Sequence, residues 1–205
     1  MTGNMIFKSV LIISLYTSIG SFAQSYDALD YLVLKTGDTL YGKIEYKKDT
    51  GVNYKYLNKI RLTNALGKQK RYKRDQVVAF STNNFIYEGF WLNQESESLV
   101  LLNPRYEIDD KNGGYYFLKV MSKGTLSYYQ LEWWEQGESL LMSMDLLKKE
   151  KDQFFIRATQ GLFGLKRKVL SSYFNGCPSL AQKIQQKQLN QVFQVVDYYN
   201  NNCVK

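Results

Sequence analysis

Two β-prone runs flank the pair Gly37-Asp38, with Tyr31-Leu32-Val33-Leu34-Lys35-Thr36 before it and Thr39-Leu40-Tyr41-Gly42-Lys43-Ile44-Glu45-Tyr46 after it. A Gly-Asp pair in that position predicts a two-residue hairpin turn, because glycine supplies the positive φ that matches the twist of the flanking strands. The start of the folded chain is thereby committed to antiparallel sheet. Gly42, inside the second strand, marks a bulge or a close backbone approach.

Further strands are predicted at about 54–62, 69–73, 77–81, 85–92 and 99–102. Past the polar turn Asp109-Asp110-Lys111-Asn112-Gly113-Gly114, a second hairpin reads as 115–121, Ser122-Lys123-Gly124 and 125–133, and a last strand pair as 154–157 and 162–165. The periodicity then changes. Residues 166–174 read as a short helix ended by Asn175-Gly176, and Pro178 sits just inside the start of another. Leu189, Val192, Phe193 and Val196 recur at helical spacing, which predicts an apolar stripe laid on the sheet.

The expected architecture is one α+β domain over residues 24–205, β-rich over 30–165 and helical over 166–203. Its sheet is predominantly antiparallel, as a meander or a partly closed barrel. A chain of this size buries roughly 70% of its unfolded surface, enough for an ordinary core. With 44% hydrophobic and 15% aromatic residues, and two prolines, the composition supplies that core and argues against disorder.

Residues 1–23 have a different character. Lys8 precedes an apolar run from Val10 to Ile19, and Ser21-Phe22-Ala23 offers a cleavage site before Gln24, the pattern of a secretory signal peptide. The run is about half the ~20 residues that a spanning helix needs, and no other stretch of that length is apolar. Gln24 stands where lipid anchoring requires a cysteine. The expectation is an exported, periplasmic or extracellular chain without a lipid anchor or a transmembrane segment.

Export gives the two cysteines their meaning. Cys177 and Cys203 are the only ones in the sequence, and in an oxidising compartment they predict a single disulfide. The net charge of +8 becomes +7 once Lys8 leaves with the signal, favouring anionic partners. Outside the cytoplasm those partners are acidic glycans and phospholipid headgroups, so nucleic acid is an unlikely ligand.

Taken together, Ser21-Phe22-Ala23-Gln24, the run from Leu34 to Ile44, and the tail Tyr173-Phe174-Asn175-Gly176-Cys177-Pro178-Ser179-Leu180 with Tyr198-Tyr199-Asn200-Asn201-Asn202-Cys203 resemble exported proteins of Bacteroidota. The resemblance implies a small β-rich envelope domain with a helical C-terminal segment. It brings no activity and no catalytic residues.

Absent chemistry narrows the function further. With no histidine the chain lacks the usual general base of a serine or cysteine hydrolase and the commonest zinc ligand. No P-loop, dinucleotide fingerprint or CxxC pair occurs. The sequence calls for no cofactor. Asp109, Asp110 and Asn112 suggest calcium by composition but lack the EF-hand spacing and its closing glutamate, so a plain turn is expected.

Two segments remain as candidate sites. Glu132-Trp133-Trp134-Glu135 pairs carboxylates with aromatic platforms, as sugar binding or glycoside hydrolysis requires, although alternation on a strand sends Glu132 and Trp134 one way and Trp133 and Glu135 the other. Lys68-Gln69-Lys70-Arg71-Tyr72-Lys73-Arg74 holds five cations in seven residues. As a strand it turns Lys70, Tyr72 and Arg74 to one face and Arg71 and Lys73 to the other. Neither face can be buried, so an edge strand or an exposed hairpin arm is expected, its charge either blocking edge-to-edge aggregation or contacting an anionic glycan or headgroup. The functional expectation is a non-catalytic interaction or structural module of the cell envelope. The alternatives are an enzyme acting on envelope glycans or lipids through acidic residues, and a carrier of an apolar ligand inside a curved sheet.

Overall fold

The computed structural model describes residues 30–45, 58–93, 105–109, 111–134 and 141–204, apart from the side chains of Glu45, Trp134 and Leu162. The predicted signal segment, the strand at 99–102, residues 54–57 of another, Asp110 and Glu135 lie outside the described residues. Twelve strands and three helices are described: β1 Tyr31–Leu34, β2 Thr39–Tyr41, β3 Lys43–Glu45, β4 Lys59–Thr63, β5 Gln69–Lys73, β6 Val77–Thr82, β7 Phe85–Asn93, β8 Arg105–Ile108, β9 Gly114–Ser122, β10 Leu126–Trp134, β11 Leu141–Lys149, β12 Phe154–Arg157, α1 Arg167–Tyr173, α2 Pro178–Gln185 and α3 Val192–Asn202. The fold is α+β, with antiparallel sheet and a helical C-terminal segment, as the sequence predicts.

Nine strands form one sheet in the order β2-β1-β6-β7-β8-β12-β11-β10-β9, and β9 returns to pair with β7, so the last six close into a barrel. Strands β3, β4 and β5 form a second, three-stranded sheet. β2 and β3 are one run of chain bent at Gly42, which lets it serve both sheets. A Cβ at Gly42 would strike the Thr63 carbonyl. The bend is held by Asp30, whose Oδ2 accepts from the Ile44 amide at 3.0 Å and the Thr82 hydroxyl at 3.3 Å.

Strands β7 and β9 are a wall between two cores. Tyr87 of β7 and Tyr115 and Phe117 of β9 face the space under the small sheet, packing with Leu32, Ile44, Ile60, Leu62, Tyr72, Val77 and Phe80. Their neighbours Phe90, Leu92, Tyr116, Leu118 and Val120 face the barrel interior. Both faces being buried explains the unbroken apolar character of Tyr115-Tyr116-Phe117-Leu118. The barrel interior is filled with side chains, among them Phe90, Tyr129 and Phe155, whose rings meet edge to face at 5.0–5.6 Å.

The helices cover the outside of β10–β12. Leu126, Leu147 and Ile156 pack there against Leu170, Phe174, Leu180, Ile184, Val192, Val195 and Val196. Cys177 is joined to Cys203, closing the predicted loop and tying the end of α3 to the start of α2. Pro178 occupies the first turn of α2, where its missing N–H costs nothing. Asn200 of α3 pairs with the Leu126 backbone, its Oδ1 accepting from the amide at 2.8 Å and its Nδ2 donating to the carbonyl at 3.0 Å. Among the described residues no helix is long and apolar enough to cross a membrane.

Several expectations need correction. The first hairpin forms, but its loop is Lys35–Gly37 rather than Gly37-Asp38. The Leu34 amide bonds the Asp38 carbonyl, the Gly37 amide bonds the Leu34 carbonyl, and Gly37 takes the positive φ of +92°. Residues 162–165 are not a strand: Gly161–Phe163 is a 3-10 turn, and only Leu165 bridges, to Thr159. The α3 stripe is Val192, Val195 and Val196; Phe193 is 58% exposed and Leu189 precedes the helix. The polar turn is not among these corrections: its Asp109 carboxylate oxygens accept bonds within the turn, from the Lys111 amide and the Asn112 side chain.

Candidate functional site

The basic run belongs to the three-stranded sheet, and the strand register shows which cations share a face. Among the described residues β5 pairs only with β4 and is an edge of that sheet, as predicted. Ile60 lies opposite Tyr72 and Leu62 opposite Lys70, while Lys59 lies opposite Lys73 and Arg61 opposite Arg71. Lys43 of β3 stands beside Thr63, and Glu45 beside Arg61. One face thus carries Lys43, Lys59, Arg61, Arg71 and Lys73, with Glu45 the sole acid at a register position on it.

The expectation that neither face of the run could be buried fails at one residue. Tyr72 is buried with Ile44, Ile60 and Leu62 in the core under the small sheet, because apolar residues on β3 and β4 complete an inner face that β5 alone could not supply. Lys70 shares Tyr72's side of the strand but stays exposed at its end, its Nζ 5.0 Å from the Tyr72 ring centroid. Arg74 has left the strand and begins the 3-10 turn Arg74–Gln76. Lys68 lies in the β4–β5 turn, exposed.

Directly opposed like charges destabilise a β-ladder. This sheet holds two such pairs side by side, Lys59 with Lys73 and Arg61 with Arg71. The described side chains give none of these four cations a carboxylate partner; the ion pairs found among described residues are Arg105–Glu107, Lys119–Glu132 and Lys123–Glu88. Edge protection accounts for Arg71 and Lys73. It gives no reason for Lys59 and Arg61, which lie on the central strand. A potential of one sign, concentrated on a patch about 10 Å wide, is what an approaching polyanion would meet.

Lys43, Lys59 and Arg61 do not belong to the dense run from which the site is predicted. The alternation Lys59-Ile60-Arg61-Leu62-Thr63 carries the signal that locates two of them: apolar positions pointing in, cations pointing out.

The β4–β5 turn is tightly specified. The Asn64 side-chain oxygen accepts from the Leu66 amide at 3.0 Å and the Lys68 amide at 2.9 Å, and the Asn64 carbonyl accepts from Gly67 at 2.9 Å. Gly67 takes the left-handed φ of +74° that closes it. The result holds Leu66 outward, 92% exposed. Two recesses of about 340 Å³ flank the turn, and Tyr41 and Asn64 line both.

The Glu132 segment is arranged differently. Glu132 is 6% exposed on the outer side of the barrel wall, 3.0 Å from the Lys119 ammonium, which also lies over the Phe85 ring at 3.8 Å. Trp133 points the other way and packs against the barrel interior. The Trp134 backbone pairs with Leu141. At one barrel mouth Tyr129 donates to Glu88 at 2.9 Å, and Lys123 reaches both Glu88 and the Tyr129 oxygen at 2.6 Å. Burial, with Glu88 beside it, holds the Tyr129 phenol above the usual tyrosine range. Among the described residues no three acidic or cysteine side chains gather as metal ligands would. Comparison with protein families, with curated proteins and with solved structures yields no match.

Proposed function

We propose that this protein is an exported, non-catalytic interaction module of the cell envelope whose contact surface is the basic face of the three-stranded sheet, and whose ligand is a polyanion. The observation that carries the reading is the pair of like-charged rungs, Lys59 with Lys73 and Arg61 with Arg71, built partly on a central strand. An anion laid across both rungs converts a repulsive arrangement into an attractive one.

Binding to a soluble polyanion such as heparin tests it. The protein should be retained at low salt and released as salt rises, since the attraction is screened over about 8 Å at physiological ionic strength. Arg61→Glu with Arg71→Glu should release it at markedly lower salt, with the thermal transition of the parent. Equal retention of parent and variant would refute the assignment.

A further inference from the structure

Resting on that reading of the basic face, the geometry points to a specific source of the anions: a bilayer containing anionic phospholipid, met end-on by the β4–β5 turn, with Leu66 entering the interface and Lys43, Lys68 and Lys70 taking the headgroups.

The argument begins with Leu66. A leucine that is 92% exposed gains nothing in water, yet this one is fixed outward by the side-chain and main-chain bonds of Asn64 and by the left-handed Gly67. An acidic glycan presents hydroxyls and carboxylates, against which a leucine side chain has no favourable contact. An acyl-chain boundary does reward it, in proportion to the apolar area it buries.

The surroundings of the turn fit the same surface. Tyr41, 62% exposed, lines the recesses on either side of the turn, and tyrosine is a side chain that settles at the headgroup level, ring inward and hydroxyl wet. Lys43 lines one recess, and Lys68 and Lys70 line the other, so the apolar tip is bordered by ammonium groups. Each cation close to an anionic leaflet adds to the attraction. Arg61 and Arg71 stand two residues behind the Thr63–Gln69 rung, or ~7 Å at strand rise, and add to the positive potential that draws an anionic leaflet towards the turn. An apolar tip alone binds membranes weakly, as does a basic patch alone; here the two adjoin.

Cosedimentation with vesicles decides it, using the protein recovered from an exporting host with its N-terminus read by mass spectrometry. The vesicles are phosphatidylglycerol with phosphatidylethanolamine at three to seven, or phosphatidylcholine alone, and heparin retention is measured alongside. The parent should bind the anionic vesicles and not the phosphatidylcholine ones. Leu66→Ser should lower vesicle partition roughly tenfold while leaving heparin retention unchanged, whereas Arg61→Glu with Arg71→Glu should weaken both. Leu66 is almost wholly exposed, so its replacement leaves the fold intact, which a thermal melt verifies. Retention on heparin without vesicle binding, equal binding to both vesicle types, or a Leu66→Ser variant matching the parent would overturn the bilayer assignment while the polyanion reading stands. Loss of heparin and vesicle binding alike in the parent would overturn both.

Discussion

Removing the bridge between Cys177 and Cys203 gives the most quantitative check on the helical layer. The two residues are 26 apart in sequence, so the closed loop holds about 27 residues. In the chain-entropy model such a loop restrains the unfolded state by ~3.5 kcal/mol at room temperature. For a domain of this size each kcal/mol moves Tm by roughly 2–4 °C, so replacing both cysteines by alanine should lower Tm by about 7–14 °C. The folded state should change little, because α3 keeps its contacts through Val192, Val195 and Val196 and its side-chain rung from Asn200 to Leu126. Scanning calorimetry of parent and double variant, with matched circular dichroism at 20 °C, measures the effect. A Tm within 2 °C of the parent would refute the reasoning, and would mean that this loop is already restrained in the unfolded ensemble or that the bridge strains the fold by as much as it restrains it.

Three further outcomes follow from the interior. Replacing Glu132 by Gln should destabilise the protein by about 3 kcal/mol, because it leaves the mostly buried Lys119 charge unpaired, and Lys119→Met added to it should recover part of the loss; chemical denaturation of both variants measures this. Asn200→Ala should cost about 2 kcal/mol by stranding both the amide and the carbonyl of Leu126, and should accelerate hydrogen exchange at the Leu126 amide. Burial raises the phenols of Tyr115, Tyr128, Tyr129, Tyr173 and Tyr199, that of Tyr115 to about 12. Above pH 10 the unfolded chain loses these protons while the folded one keeps them, so stability should fall progressively as pH rises from about 10 towards 12. Lys149 and Lys166, lowered by burial, work in the opposite direction, but they are two groups against five. Ultraviolet titration should show late-ionising tyrosines that titrate together with unfolding; full ionisation near pH 10 in a folded protein would contradict this.

What the sequence made legible was governed by locality. The strand alternation of β4 to β7, the glycine bend and the helix starts are written in neighbouring residues, and they were recognisable from them. Strands β8 and β11 had no counterpart in the sequence reading. Leu141-Met142-Ser143-Met144-Asp145-Leu146-Leu147-Lys148-Lys149 is composed of good helix formers and becomes a strand because β10 pairs with it along its whole length. The candidate face was half legible. Arg71 and Lys73 stood out in a dense run; the alternation at 59–63 turns Lys59 and Arg61 outward, but their placement opposite Lys73 and Arg71 is set by cross-strand register. Tyr72 reversed expectation for the same reason: its burial depends on apolar partners from β3 and β4.

The wall formed by β7 and β9 has a consequence for how this fold can change. Along β7, Tyr87 belongs to one core while Phe90 and Leu92 belong to the other, so every residue is assigned to a side by parity alone. Inserting one residue midway along β7 would send the remainder of the strand through the sheet, presenting residues of the barrel interior to the core under the small sheet and the reverse. Such an error could not be absorbed by one half while the other stayed intact. The exposed β4–β5 turn, which touches neither core, is where the chain can alter its reach without renegotiating its interior.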